Sequence, residues 1–366
     1  MIRVLHIMSA AGSADGIAAV VYNFYKYINK DVVHFDVALT TDSFGGYGIA
    51  LQKLGVKFYR LPLKSNGIHK YMQKLETLLK KEHFDAIHVH ENETSFVALF
   101  VAKKMGIPCR IAHAHTASPY ESFKGEIKRV IGGYLNTYFS TEIIACGELS
   151  GQRIFGKHNM KHEKAYVLKN AVETDRFSYN PLVRQQVRTE LKVENKFVLG
   201  MVGRIAPEKN TLYGVEVFEE IQKKCENALL MIVGDGPCER ELLQVIQNKK
   251  LLKSVVFLGR REDVERFYQA FDVFLMPSLY EGFPVSAVEA MSSGLPLLLS
   301  NTVTRELEFG SAVNYLSLND KMKWVNCAMK YQNDELRSIR QNEVKANGLE
   351  IKDVAKKLEA IYSKEK

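Results

Sequence analysis

Short apolar runs recur along the chain and alternate with longer stretches of helical spacing. In the first half the runs predict strands at Val4–Met8, His34–Thr40, Val56–Pro62, Ala86–His90, Cys109–His115, Glu142–Cys146 and Ala165–Lys169. Helical spacing lies between several of them, as at Ile17–Tyr27 and Ala98–Met105. Strands alternating with helices imply a parallel sheet covered on both faces. The pattern breaks near Phe177–Pro181 and restarts, with strands expected at Phe197–Gly203, Ala228–Gly234, Val255–Gly259, Val273–Pro277 and Leu295–Ser300. The expectation is an α/β chain of two doubly wound parallel-sheet domains, 1–178 and 179–350, facing a central cleft at the carboxyl ends of their strands. Beyond them, Ile351, Val354, Ala355, Leu358, Ile361 and Tyr362 form one helical stripe.

The stretch from Val273 to Met291 organises the second half. A buried strand runs into Pro277, a loop follows, and an apolar helix begins near Pro284. Gly282 can turn the chain with positive φ, and Pro284 suits a first helical position. The free amides of such a helix end favour an anion, a phosphate above all. Glu289 lies one turn beyond Val285, on the same face and roughly 6 Å along the axis. It is placed to accept hydrogen bonds from hydroxyls, as an acidic residue does for a ribose in dinucleotide sites. Glu281, before the helix, could reach the group carried on the far phosphate. That order suits a nucleotide sugar. The alternative is two ordinary surface carboxylates, but a Glu inside the apolar stretch Val285–Met291 needs a partner.

Other strand ends carry further candidates. Ser9–Gly16 is a small-residue loop before a helix opening at Ile17, able to cradle a phosphate; it lacks the GxGxxG spacing, which disfavours a plain dinucleotide fold. His113 and His115 point the same way from one strand end, with no further metal ligands evident nearby. His88 and His90 repeat the spacing, followed by Glu91 and Glu93, and could line the same cleft. Arg204 and Lys209 follow the strand ending at Gly203 and can flank a diphosphate, Arg by bidentate bonds and Lys as a point charge; the alternative is a solvated loop. Gly234-Asp235-Gly236-Pro237 is a tight turn before it is a ligand loop. Gly259–Val264 is a place where a nucleotide base could lodge.

Composition narrows the classes. The chain has 366 residues, 46% of them hydrophobic, enough for two or three cored domains. No apolar stretch reaches membrane-spanning length, and Met1–Met8 reads as a strand, not a signal peptide. Five widely spread cysteines with no CxxC or Cys/His spacing suggest a reducing cytoplasm and no structural metal. The net charge is +8. It is uneven: residues 1–180 hold 23 Lys and Arg against 16 Asp and Glu, and the remainder 27 against 26. An anionic partner is suggested, or simply a lysine-rich solvated surface. Nucleic acid has no supporting motif or aromatic interleaving. Phe123–Ile131 mixes apolar residues with three cations. It fits an amphipathic helix on an anionic membrane, or a helix packed on its own domain with a solvated basic face.

Taken together, these residues resemble the retaining glycosyltransferases of the GT-B fold, with two Rossmann-like domains, and most closely the family-4 enzymes of bacterial exopolysaccharide and capsule assembly. The resemblance covers nearly the whole chain. It rests on Gly16, on His115 in His113-Ala114-His115-Thr116, on Asn170–Phe177, on Gly203-Arg204 to Lys209, and on Glu281 to Glu289 as the E-x7-E motif. The chain departs from the family at Asp15-Gly16, where two glycines are frequent, and at Asn170-Ala171-Val172-Glu173, where Asn-Gly-Val-Asp is common. Neither change removes a charged group.

The resemblance implies a donor-binding second domain, an acceptor-binding first domain, and a last helix, 351–366, that crosses back to the first. It implies that Arg204 and Lys209 neutralise the donor diphosphate and Glu289 binds the ribose. Glu281 and the backbone amides of the Gly282-Phe283-Pro284-Val285 stretch, Pro284 itself having no N–H to give, would hold the sugar and its phosphate. Gly16 would let the first domain's backbone close on the diphosphate, and His115 would contact the sugar and stabilise the developing positive charge near its anomeric carbon, its backbone carbonyl being one means of doing so. Such enzymes are generally metal-independent, and no Asp-x-Asp occurs here, so no cofactor is expected. The expected reaction moves a sugar from a nucleotide-diphosphate donor, a UDP-sugar by preference, to a glycan or polyprenyl-diphosphate-linked saccharide, with same-face attack. The expected location is the cytoplasm, at the inner face of the plasma membrane if the basic helix binds lipid. Rival readings are a sugar-nucleotide epimerase of similar shape and a non-catalytic nucleotide-sugar binding module.

Overall fold

The computed structural model describes residues 1–12, 15–118 and 122–364. Ser13 and Ala14 of the first loop, and the last two residues of the 351–366 segment, therefore lie outside the described residues. The chain forms two compact units, Met1–Asn170 with Ile351–Lys366, and Ala171–Glu350.

Among the described residues the first unit has seven strands: β1 Ile2–Met8, β2 Val33–Leu39, β3 Phe58–Arg60, β4 Ala86–Val89, β5 Cys109–Ala114, β6 Glu142–Ala145 and β7 Ala165–Val167. Their order is β3-β2-β1-β4-β5-β6-β7, every pair parallel. The central strands are buried on both faces and are mostly apolar, interrupted in β1 by Arg3 and His6 and in β4 by His88. Asp15 caps the first helix, Gly16–Tyr27, its carboxylate accepting from the Ala18 amide at 2.7 Å. Gly16 is thus the first helical residue, and the helix opens one position earlier than at Ile17. The apolar stripe of the final helix, Ile351–Ser363, is buried residue for residue as its spacing requires, and this helix packs on Gly16–Tyr27.

The second unit has six strands: β8 Phe197–Val202, β9 Ala228–Val233, β10 Val255–Phe257, β11 Val273–Met276, β12 Leu297–Ser300 and β13 Val313–Leu316. Their order is β10-β9-β8-β11-β12-β13, again all parallel. The edge strand β13 is an addition to the expected set. Strand order reverses beside β1 in one sheet and beside β8 in the other. At such switch points the loops leaving neighbouring strands diverge and leave a crevice for a ligand.

Close backbone contact joins the loops above β8 and β9. Gly234 has φ +146°, and a Cβ there would stand 1.8 Å from the Gly203 carbonyl oxygen. The Ile205 amide donates to the Asp235 carbonyl at 2.8 Å. Among the described residues no helix is long and apolar enough to cross a membrane.

Candidate active site

In the second unit, the loops after β8 and β11 are tied together. Asn210, itself left-handed at φ 51°, donates from Nδ2 to the Pro277 carbonyl at 3.2 Å. The Leu279 amide donates to the Glu208 carbonyl at 2.8 Å. Between them lies a hollow lined by Gly203, Arg204, Lys209, Pro277 and Ser278. Lys209 Nζ is 2.6 Å from Glu281 Oε1, and Ser278 Oγ donates to the same oxygen at 2.8 Å. Both bonds use Oε1, so Oε2 has no partner among the described residues. Arg204 is exposed and has no ion-pair partner among them. An exposed, unpaired cation and a held cation–carboxylate pair thus occupy neighbouring strand ends among the described residues.

The helix after Glu281 is Val285–Ser292, with Pro284 at its cap. Pro284 is therefore one position before the first helical residue; its carbonyl receives the Ala287 and Val288 amides at 3.1 and 3.2 Å. Val285 and Ser286 stand ahead of those two amides and have no intrahelical acceptor for their N–H groups. Gly282 is not among the positive-φ glycines. The turn is instead held by the Ser278 and Lys209 bonds to Glu281 and by the Leu279–Glu208 contact, so no left-handed residue is needed. Phe283 and Pro284 are buried and anchor the helix start.

Glu289 has the partner that its apolar setting requires. The Tyr268 hydroxyl donates to Glu289 Oε2 at 2.7 Å and also approaches the Ser286 carbonyl at 3.2 Å. Burial pushes the Glu289 carboxyl up to about 7, against the Tyr268 bond and the nearby Arg176, which favour the charged form. Arg176 is itself held by Glu265 at 2.7 Å. Glu281 and Glu289 therefore differ in kind: one is an ion-paired acceptor, the other a half-buried carboxyl poised near neutrality.

In the first unit, Gly16 and His115 lie beyond the carboxyl ends of β1 and β5. A Cβ at Gly16 would meet nothing within 4 Å, so packing within the protein does not require glycine there. The His115 amide donates to Asn92 Oδ1 at 2.9 Å, and its ring is half-buried. His88, His90 and His113 are buried and do not line an opening as expected for the first two. They meet His6, so imidazoles that spacing left isolated form one cluster of five. His6–His88–His90 and His90–His113–His115 each bring nitrogens near enough to hold a metal ion. The rings are also stacked and hydrogen-bonded to one another, as at His88–His90, 4.4 Å between centroids. Burial holds them neutral: His6 and His115 are pushed down to about 3, the other three well below the usual range. Glu91 is engaged by Lys64 at 2.6 Å.

The helix read as basic and amphipathic spans Phe123–Phe139. Its buried side is Gly132, Gly133 and Asn136. A Cβ at Gly132 would stand 2.2 Å from the Glu93 carbonyl oxygen, and one at Gly133 2.1 Å from that of Ile154. The large apolar residues Phe123, Ile127, Val130, Ile131, Tyr134 and Tyr138 are all exposed. At 100° per residue these six fall within an arc of about 100°. The small residues pack inward and the apolar stripe faces solvent, flanked by exposed Lys124 and Lys128.

Residues 14–176 match Glycosyltransferase Family 4, and residues 183–314 match Glycosyl transferases group 1. The chain is 30% identical over 326 residues to EpsF of Bacillus subtilis (strain 168), a protein named as a glycosyltransferase, covering 87% of this chain and 84% of that one. It is 29% identical over 310 residues to the Escherichia coli UDP-Gal:alpha-D-GlcNAc-diphosphoundecaprenol alpha-1,3-galactosyltransferase, covering 80% and 79%. Among solved structures, Anabaena HepE in complex with UDP and glucose matches all of both chains with a TM-score of 0.81 at 18% identity, a likeness of fold. The E-x7-E strand–loop–helix unit, the paired α/β sheets and these relatives place the chain in one family: it belongs to the family-4 glycosyltransferases of the GT-B fold.

Proposed function

We propose that this glycosyltransferase takes its sugar from a nucleoside-diphosphate donor, UDP-linked by preference, and transfers it with retention of anomeric configuration. The observation that carries the reading is the pair of carboxyls on either side of one helix start. Glu281 is locked by Lys209 and Ser278 before the Val285–Ser292 helix, and Glu289 is held by Tyr268 one turn into it. The open amides of Val285 and Ser286 lie between. Phosphate suits the amides and the Arg204 guanidinium. Ribose hydroxyls suit Glu289, and the sugar hydroxyls suit the open oxygen of Glu281.

Lys209 serves two groups: it neutralises Glu281 and adds positive charge beside the diphosphate. From the first unit we propose Gly16, whose missing Cβ leaves room for a phosphate, and His115 as the residue that meets the sugar. Cations and amides supply the stabilisation of the leaving diphosphate, so the reaction needs no metal ion. The leaving phosphate oxygen accepts the proton of the attacking hydroxyl, and attack occurs on the same face. A UDP-linked donor is supported by the Escherichia coli relative, whose name contains UDP-Gal, and by UDP bound in the HepE structure.

For the acceptor we propose a saccharide on a polyprenyl-diphosphate carrier, met at an anionic membrane surface through the Phe123–Phe139 helix. The relative's diphosphoundecaprenol acceptor and the solvent-facing apolar stripe with its flanking lysines support this. The test is transfer from UDP-galactose, UDP-glucose and UDP-N-acetylhexosamines to a short-chain polyprenyl-diphosphate sugar in chelator. The anomeric configuration of the product is read by proton coupling. An α product from an α donor is expected; an inverted product, or none without divalent metal, would overturn the mechanism.

A further inference from the structure

The five histidines of the first unit and Tyr362 make an unbroken hydrogen-bonded chain. His113 Nδ1 lies 3.0 Å from His88 Nε2, and His88 Nδ1 lies 2.6 Å from the Tyr362 hydroxyl. That hydroxyl is 3.4 Å from His6 Nε2; His6 Nδ1 is 2.9 Å from His90 Nε2, and His90 Nδ1 is 2.7 Å from His115 Nε2. Three of the rings, His88, His6 and His90, use both nitrogens. The residues come from β1, β4, the loop after it, β5 and its end, and the final helix, and His6 and His88 are register partners across β1 and β4.

Proton counting then fixes the direction of the chain. Each contact needs one hydrogen. Five neutral imidazoles and one phenol carry six, and the five contacts use five. The sixth must sit at one end. At the inner end, His113 Nε2 is buried and has no hydrogen-bond partner among the described residues. A proton there would be an orphaned donor, whereas a bare nitrogen is an under-satisfied acceptor, which interiors tolerate better. At the outer end, His115 is half-buried and can spend its Nδ1–H on solvent or a ligand. With the sixth proton at His115, every donor in the chain points outward and all five imidazoles carry their proton on Nδ1. Charging any one ring would place a cation among buried neutral groups and break the alternation.

We propose that the chain of His113, His88, Tyr362, His6 and His90 fixes His115 as a neutral Nδ1–H tautomer, so that it meets its ligand only as a hydrogen-bond donor. This deepens the reading of His115 given above and rests on it for the identity of the ligand, a sugar hydroxyl oxygen. His90 is the positioning residue, since its Nδ1–H occupies His115 Nε2.

The test is a long-range nitrogen–proton NMR correlation of the imidazoles in the full chain labelled with 15N-histidine, without nucleotide or acceptor. The His115 signals are assigned by their loss in His115→Gln. We expect five neutral rings at pH 7, each protonated on Nδ1. In His90→Leu the His115 ring should lose its single tautomer. In His90→Gln, whose amide can both accept from His6 and donate to His115, it should keep it. If His90→Leu does not fold, the wild-type spectrum and His90→Gln decide. A His115 proton on Nε2, a tautomer mixture in the wild type, no change in His90→Leu, or nitrogen shifts removed by chelator that mark a bound metal ion would each overturn the proposal. The spectrum is read without turnover, so a failed transferase assay and a failed tautomer assignment are separate results.

Discussion

The Tyr268 hydroxyl donates to Glu289 Oε2 at 2.7 Å, and this bond lets a carboxyl sit on the apolar Val285–Ser292 helix. The bond alone does not offset burial, since the carboxyl is still pushed up to about 7. Its ordinary value is near 4.3 in an unfolded chain. Below that value both states are protonated and the shift has no effect. As pH rises through the window from about 4.3 to about 7, the folded state retains a proton that the unfolded state has lost, so stability falls and then levels off.

We therefore expect Glu289→Gln to be more stable than wild type at pH 8, by on the order of 2 kcal/mol after discounting for half-burial, and close to it at pH 4.5. Ribose hydroxyls donate best to the charged form. Affinity for a UDP-sugar, whose esterified diphosphate does not titrate in this range, should rise between pH 6 and 8 in the wild type and stay flat in Glu289→Gln. Denaturant titration and calorimetry at the two pH values check both.

Two glycines at strand ends should respond in opposite ways to alanine. At Gly234 a Cβ would strike the Gly203 carbonyl oxygen, in a backbone region that L residues avoid. Gly234→Ala should cost more than about 2 kcal/mol in a melting experiment. At Gly16 a Cβ meets nothing, and the position is the first of a helix. Gly16→Ala should fold as well as wild type or better by about 0.5 kcal/mol, yet transfer sugar at least tenfold more slowly. Unchanged turnover would remove Gly16 from the site.

The outward stripe of the Phe123–Phe139 helix should bind membrane. Flotation with vesicles rich in phosphatidylglycerol at low salt is expected to carry the wild type and to leave Ile127→Glu/Tyr134→Glu behind, with equal melting temperatures because both side chains are exposed. Wild-type protein remaining with the unbound fraction would remove the membrane from the proposal.

Much of the strand framework was legible because parallel strands buried on both faces appear as short, mostly apolar runs, even where His6, Asp36, His88 and His113 interrupt them. β13 escaped because Val313–Leu316 is a half-buried edge strand that carries Asn314. The chain passes between units at Asn170 and Glu350, where the Val172 amide bonds the Leu349 carbonyl at 3.2 Å, a pairing that no local pattern near 178 shows. The E-x7-E stretch announced itself by a Glu in an apolar helix, but its partner Tyr268 lies on another helix and left no local signal. The histidine chain was hidden for the same reason: sheet order and the final helix bring His6, His88, His113 and Tyr362 together from distant positions. The direction of the 123–139 helix could have been read from Gly132 and Gly133, since adjacent small residues mark the side that packs closely.

The most direct measurement is thermal stabilisation by UDP, GDP and ADP, each in chelator, for wild type, Arg204→Ala and Glu289→Ala. Arg204 is exposed, so its loss should leave the ligand-free melting temperature unchanged while removing a charge-assisted bond to phosphate. We expect one diphosphate, UDP, to stabilise the wild type by about 2.7 kcal/mol at 100 times its dissociation constant, and both variants to lose most of that shift. No stabilisation by any diphosphate at millimolar concentration, or a shift that survives in both variants, would contradict a donor site at the carboxyl ends of β8 and β11.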